Sequence, residues 1–163
     1  MEPLFTIDLG ALEQRHRELS RTLHPDRFTG RPASERRQAL SQAIEVNEAF
    51  RALRDPVRRG EAILRRLGVN REEGEEPKPD PEFLMDVMER REALSEARRS
   101  KQIARVRELA SSIRELDGRA REALGRLFTV QPLDPDAVER RLGELRYYRR
   151  FLEEAAAIED EIA

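Results

Sequence analysis

Apolar residues recur along most of this chain at three- and four-residue intervals, and that spacing predicts helices. Leu9, Leu12, Leu19 and Leu23 fall on one stripe with His16 inside it, which predicts a helix over about 9–23. Pro25 ends it, because the residue before a proline is pushed out of the helical region. Leu40, Ile44, Val46, Phe50 and Leu53 supply an apolar face and predict a second helix over about 34–54. Val57, Ala62, Ile63, Leu64 and Leu67 predict a third over about 56–67, ending at Gly68. Three more follow, over about 82–98, 101–128 and 135–161. Their stripes are Phe83/Val87/Leu94, Ile103/Val106/Ile113/Leu116/Leu127 and Val138/Leu142/Leu145/Leu152. No alternating strand pattern competes, so the expected fold is all-α. Its second half is expected to form an antiparallel three-helix bundle.

The breaks in the pattern are equally informative. Asp55-Pro56, Asp80-Pro81 and Asp134-Pro135 each read as a helix start. The aspartate accepts free N–H groups of the first turn, and the proline needs no donor there. Ser34 is a further cap candidate. Residues 69–81, VNREEGEEPKPDP, carry four Glu and three Pro without apolar periodicity and read as a linker. The expected organisation is a domain at 1–68, a linker at 69–81 and a domain at 82–163.

Composition removes several classes of chemistry. Among 163 residues there is no Cys and there are only two His, so thiolate metal sites, cysteine nucleophiles and disulfides are excluded. No apolar run approaches the roughly 18 residues needed to cross a membrane. The opening MEPLFTIDLG has no basic segment followed by a long apolar one, so a soluble, cytoplasmic protein is expected. Net charge is −2, which argues against a dedicated nucleic-acid binder. The charge is unevenly placed: 13 Arg against 10 carboxylates over 1–68, and 18 cations against 23 carboxylates over 69–163. No Gly-rich phosphate loop or metal-ligand cluster is present, and an enzyme is the least expected class.

Two local features carry chemistry. The first is the connection between helices one and two, His24-Pro25-Asp26-Arg27. Pro25 fixes its own φ and holds His24 and Asp26 in a tight projection. A carboxylate so presented suits a partner arginine. Gln14, Arg17 and Arg21 lie opposite the leucine stripe and, with Arg27, add a modest cationic surface. The second feature lies in 82–98. Phe83, Val87, Leu94 and Ala97 fall within about 80° on a helical wheel. Leu84, Met85 and Met88 fall outside that stripe, beside Glu89, Glu92 and Glu96. Methionine adapts to varied partners. From periodicity alone the second patch suits a partner surface, a broad core stripe or packing against the first domain.

His-Pro-Asp between two amphipathic helices, followed by VNEAFRALRDP, resembles a J-domain, the module that activates DnaK-type chaperones. Joined by a short linker to a bundle opening FLMDVMERREAL, with Leu145-Arg146-Tyr147 in the last helix, the chain resembles the HscB family. That resemblance implies a co-chaperone of iron–sulfur cluster assembly. His24, Pro25, Asp26, Arg17, Arg21 and Arg27 would meet an HscA/DnaK-type chaperone and stimulate its ATPase. Leu84, Met85, Met88, Glu89, Glu92, Glu96 and Tyr147 would bind an IscU-type scaffold. Neither a cofactor nor a metal is implied, and the lack of Cys fits a bacterial form. HscB chains usually begin with a short apolar helix before the basic one, whereas this sequence reaches Phe5-Thr6-Ile7-Asp8 almost at once. J-domain helix I is therefore expected to be missing, with part of the 9–23 stripe and Phe50 uncovered and the domain looser than the family norm. An adaptor for another client, or a structural helical adaptor with an incidental His-Pro-Asp, remains open.

Overall fold

A computed structural model describes residues 5–70, 75 and 77–162. Six α-helices and one 3-10 turn occur among them, with no strand: α1 (Leu9–Thr22), the turn (Pro25–Phe28), α2 (Ala33–Arg54), α3 (Pro56–Arg66), α4 (Pro81–Arg99), α5 (Ile103–Leu127) and α6 (Pro135–Ile162). The chain divides into two compact units, Met1–Leu67 and Gly68–Ala163. Residues 71–74 and 76 of the expected linker lie outside the described residues.

The helix starts follow from side-chain caps. Asp55 accepts from the N–H groups of Val57 and Arg58 at 2.9 and 3.0 Å. Asp80 accepts from Glu82 at 2.8 Å, and Asp134 from Ala137 at 3.0 Å. Asp8 caps α1 in the same way, through Ala11 at 3.1 Å. Each such cap is worth about 1 kcal/mol. Ser34 is not a cap: α2 begins one residue earlier, after Pro32, and has no side-chain cap. The extended backbone of Pro32 (φ −52°, ψ 149°) already aims the chain into the helix, and its carbonyl accepts from Arg36 N–H at 3.1 Å. Gly68, at φ +84°, follows the end of α3 in the left-handed conformation that terminates helices at low cost.

In the first unit α1 and α2 form a hairpin. The His16 ring stacks on Phe50 with centroids 4.0 Å apart, and His16 Nε2 lies 2.9 Å from Asn47 Oδ1. Phe50 is therefore half-covered rather than bare. The apolar face of α2 is only partly turned inward. Ala39 is buried, but Leu40, Ile44 and Leu53 are exposed, and α1 has no buried residue. Leu40 and Ile44 lie about 80–120° round the helix from Phe50, so a face turned to α1 cannot also bury them. The densest burial is on α3, at Val57, Arg59, Gly60, Ile63 and Leu64. Burying a guanidinium is costly unless its donors are satisfied. Arg59 donates to the Leu53 carbonyl, and its charge lies 4.7 Å from the centroid of the buried Phe5 ring. This one side chain ties α3 to the end of α2 and to the segment before α1.

The second unit is a three-helix bundle. Cross-helix contacts fix its directions. Tyr147 meets Val87, Arg91 meets Glu154 and Arg98 meets Glu161, so α4 and α6 run parallel. Arg107 meets Glu159, with α5 antiparallel to both. The core lies mainly between α5 and α6: Val106, Ile113 and Leu124 face Val138, Leu142, Leu145 and Phe151, all 2% exposed or less. From α4 only Leu94 and Ala97 are buried. Arg90 adds a polar tie, bonding Asp86 at 2.7 Å and Ser112 of α5 at 3.0 Å. The hydrogen bond with Asp86 pushes the Arg90 pKa further above its ordinary value.

Because Leu124 is fully enclosed, Leu124→Ala should cost about 2–5 kcal/mol of bundle stability. Urea unfolding followed by circular dichroism measures it.

Candidate functional site

Two surfaces hold the residues singled out in the sequence. On the first unit, the loop after α1 is a 3-10 turn opened by His24, with Pro25 at its first position. His24 Nδ1 accepts from the Asp26 N–H at 3.3 Å and lies 3.5 Å from Asp26 Oδ2. The Arg27 N–H donates to the His24 carbonyl at 3.0 Å. The backbone is thus internally satisfied, while the Asp26 side chain stands 89% exposed. A carboxylate held this way needs little further ordering to meet a cation.

Arg17 and Arg21 are exposed one turn apart on α1, and Arg27 is exposed in the turn. None of the three has an ion-pair partner among the described residues. Gln14, expected to join them, donates instead to Glu18 at 3.2 Å, which Arg15 also meets at 3.3 Å.

On the second unit, Leu84, Met85 and Met88 are all exposed, Met85 by 64% and Met88 by 72%. Leu94 and Ala97, on the far side of the same helix, are buried. Glu89 and Glu92 are exposed, without ion-pair partners among the described residues. Glu96 is already engaged. It accepts from Ser100 Oγ at 2.9 Å and pairs with Arg99 at 2.5 Å. The Ser100 hydrogen bond and then the Arg99 charge lower its pKa below the ordinary carboxylate value.

Tyr147 comes from α6 and meets a different side of α4. Its ring sits edge-on to Phe83 at 5.7 Å, and its hydroxyl donates to the Val87 carbonyl at 3.4 Å. It therefore borders the Leu84 edge of the apolar strip and does not extend the methionine edge.

One feature of this unit escapes sequence reasoning. A groove of about 270 Å³ runs between α4 and α6, walled by Arg91, Arg146, Arg150 and Glu154 and floored by Tyr147 and Phe151. The α6 part of the signal was present in the spacing of residues 143, 146, 147, 150, 151 and 154. Only the parallel pairing of α4 with α6 adds Arg91.

Among the described residues no group of three His, Asp or Glu side chains is placed to hold a metal ion, and no helix is long and apolar enough to cross a membrane.

Comparison with known proteins adds an independent line. Residues 79–156 match the family model described as the HSCB C-terminal oligomerisation domain. A co-chaperone protein HscB homolog of Neisseria meningitidis is 35% identical over 143 residues, 88% of this chain and 86% of its own. One from Shewanella baltica is 32% identical over 160 residues, 97% of this chain and 92% of its own. Among solved structures, chaperone HscB from Vibrio cholerae superposes with a TM-score of 0.86 at 25% identity, covering 98% of this chain and 93% of that one. Human co-chaperone protein HscB gives 0.85 at 25% identity, over 95% and 76%.

The two tyrosines give this geometry a direct reporter. Burial, then the nearby Asp86 charge, pushes the Tyr147 phenol up to about 12. Burial, then Glu144, does the same to Tyr148, also to about 12. Because the folded state favours the protonated phenols, their contribution to stability is complete below the unfolded pKa near 10. It is lost as pH rises from about 10 towards 12. Since the chain has only these two tyrosines, its near-ultraviolet phenolate absorbance should rise with a midpoint near 12 when folded and near 10 in denaturant. Coincident midpoints would mean that neither ring is packed as described.

Proposed function

The chain belongs to the HscB family of co-chaperones, and from that premise we propose that it is a cytoplasmic, non-catalytic adaptor of iron–sulfur cluster assembly. The first unit is its J-domain and the second its scaffold-binding domain. The turn His24-Pro25-Asp26, with Arg17, Arg21 and Arg27, docks on a DnaK-type chaperone of the HscA kind and stimulates its ATPase. The strip Leu84, Met85 and Met88, flanked by Glu89, Glu92 and Glu96 and bordered by Tyr147, binds an IscU-type scaffold.

The observation that carries the reading is the Asp26 carboxylate, almost fully exposed on a turn whose backbone bonds are already satisfied. A fixed carboxylate of this kind supports bidentate engagement by a partner arginine. The three unpartnered arginines beside it in sequence support steering towards an acidic chaperone surface. On the second unit, exposed methionines on a helix already anchored through its opposite face support a partner-binding role. Joining the two surfaces in one chain raises the concentration of bound scaffold near the chaperone, with no new contact needed.

Steady-state ATP hydrolysis by the chaperone tests the first surface. Truncating one partner of a buried, hydrogen-bonded charge pair costs about 2–5 kcal/mol. Asp26→Ala should therefore stimulate poorly at concentrations where the parent saturates, and equal stimulation would refute the docking role.

Scaffold affinity tests the second. Joint replacement of Leu84, Met85 and Met88 by Ala should weaken it at least tenfold, about 1.4 kcal/mol, with helical content unchanged. Unaltered affinity would remove the strip from the interface.

A further inference from the structure

The apolar strip on α4 has two unlike edges. Taking Leu84 as origin at 100° per residue, Met88 lies at about 40°, while Glu92, Glu96 and Glu89 lie at about 80–140°. On the other side Arg91 lies about 20° from Leu84, and there α6 closes the groove with Arg146 and Arg150. The surface therefore runs from carboxylates, across exposed leucine and methionine, to guanidinium groups. Beside Arg91 and Arg150 the groove is lined by one carboxylate, Glu154, which meets Arg91 only loosely at 3.7 Å. Arg150 is exposed and has no ion-pair partner among the described residues. A Cβ added at Gly143, which also lines the groove, would meet nothing within 4 Å, so the space beside it is open.

We propose that this groove is an acidic-segment subsite: a short run of Asp or Glu on the protein that covers Leu84 and Met88 lies between Arg91 and Arg150, against the edge of Tyr147. The inference rests on the scaffold-binding reading of α4 and extends it by stating the chemistry that the partner must carry. Charge complementarity commits the groove to carboxylates. Paired guanidinium groups hold carboxylates bidentately and in a set orientation. With acidic residues on the opposite edge of the strip, a partner bound in the reverse direction would set like charges against each other, so the subsite fixes which way round the partner sits.

The experiment uses the full chain, as wild type, as Arg91→Gln/Arg150→Gln and as Arg91→Lys/Arg150→Lys. Three probes are titrated across a salt series: an IscU-type scaffold, a Glu-rich decapeptide and inorganic phosphate. Backbone amide shifts report the site and sedimentation reports self-association. The glutamine variant should bind scaffold about tenfold more weakly at low salt, mostly through slower association, with a shallower salt dependence. The lysine variant should recover the salt dependence but only part of the affinity. The decapeptide should shift position 91 and residues 143–154 in the wild type, less in the lysine variant and not in the glutamine variant.

Scaffold binding by the glutamine variant with unchanged affinity and salt slope would overturn the subsite and leave the scaffold reading intact. If the wild type fails to bind scaffold but the decapeptide still fills the groove, the subsite stands and the scaffold reading falls. Groove shifts produced only by phosphate, or only by raising the chain's own concentration, would overturn the subsite in favour of a free anion or a second copy. So would no shift with any probe.

Discussion

The second unit depends on the seam between α5 and α6. Val106, Ile113 and Leu124 meet Val138, Leu142, Leu145 and Phe151 with almost no residual exposure. At roughly 1.5–3 kcal/mol for each fully buried large aliphatic side chain, that seam supplies most of the bundle's burial. Its consequence for function is indirect. Because two long helices complete the core, α4 contributes only Leu94 and Ala97 to the buried set. Phe83, Val87 and Arg90 pack at the margin of that face, and the opposite side of the helix is left exposed, where the methionines, the carboxylates and Arg91 are found. A two-helix core with a lightly anchored third helix can carry a recognition surface without weakening itself.

The first unit handles the same problem differently. No residue of α1 is buried, and the hairpin is closed by half-buried contacts, among them His16 stacked on Phe50 and set beside Asn47. Arg59 then ties α3 back to the Leu53 carbonyl and the Phe5 ring. The turn at residues 24–28 gains its shape locally, from one proline and two short backbone contacts. A loop defined by its own covalent and hydrogen-bonding geometry keeps its form without help from a buried core beneath it.

Much of this was legible in the sequence. The three Asp-Pro steps marked helix starts because a capping carboxylate and a missing N–H act within one turn, whatever the tertiary structure. The all-α fold and the stripe of α4 followed from spacing for the same reason. Ser34 misled because the same composition suits a cap or a first-turn residue, and the backbone of Pro32 decided between them. The exposure of Leu40 and Ile44 was not legible, because periodicity says which residues share a face but not whether anything covers it. The cationic groove was not legible, since Arg91 and Arg150 are 59 positions apart in sequence and meet only through the parallel pairing of α4 with α6. Leu84, Met85 and Met88 are exposed, outside the stripe that spacing assigned to the bundle, whereas the sideways placement of Tyr147 and the internal engagement of Glu96 required the structure.

The central claim is that two surfaces, one on each unit, act through their linkage in a single chain. A complementation assay tests it most directly. Scaffold-dependent stimulation of the chaperone's ATPase is measured with an equimolar mixture of two full-length variants, one carrying only the chaperone-docking defect at Asp26 and the other only the α4 strip defect. The mixture should lack the scaffold-dependent increase given by the wild type, although each surface is intact on one of the two chains. Full recovery by the mixture would contradict it, because the surfaces would then be acting without their covalent connection.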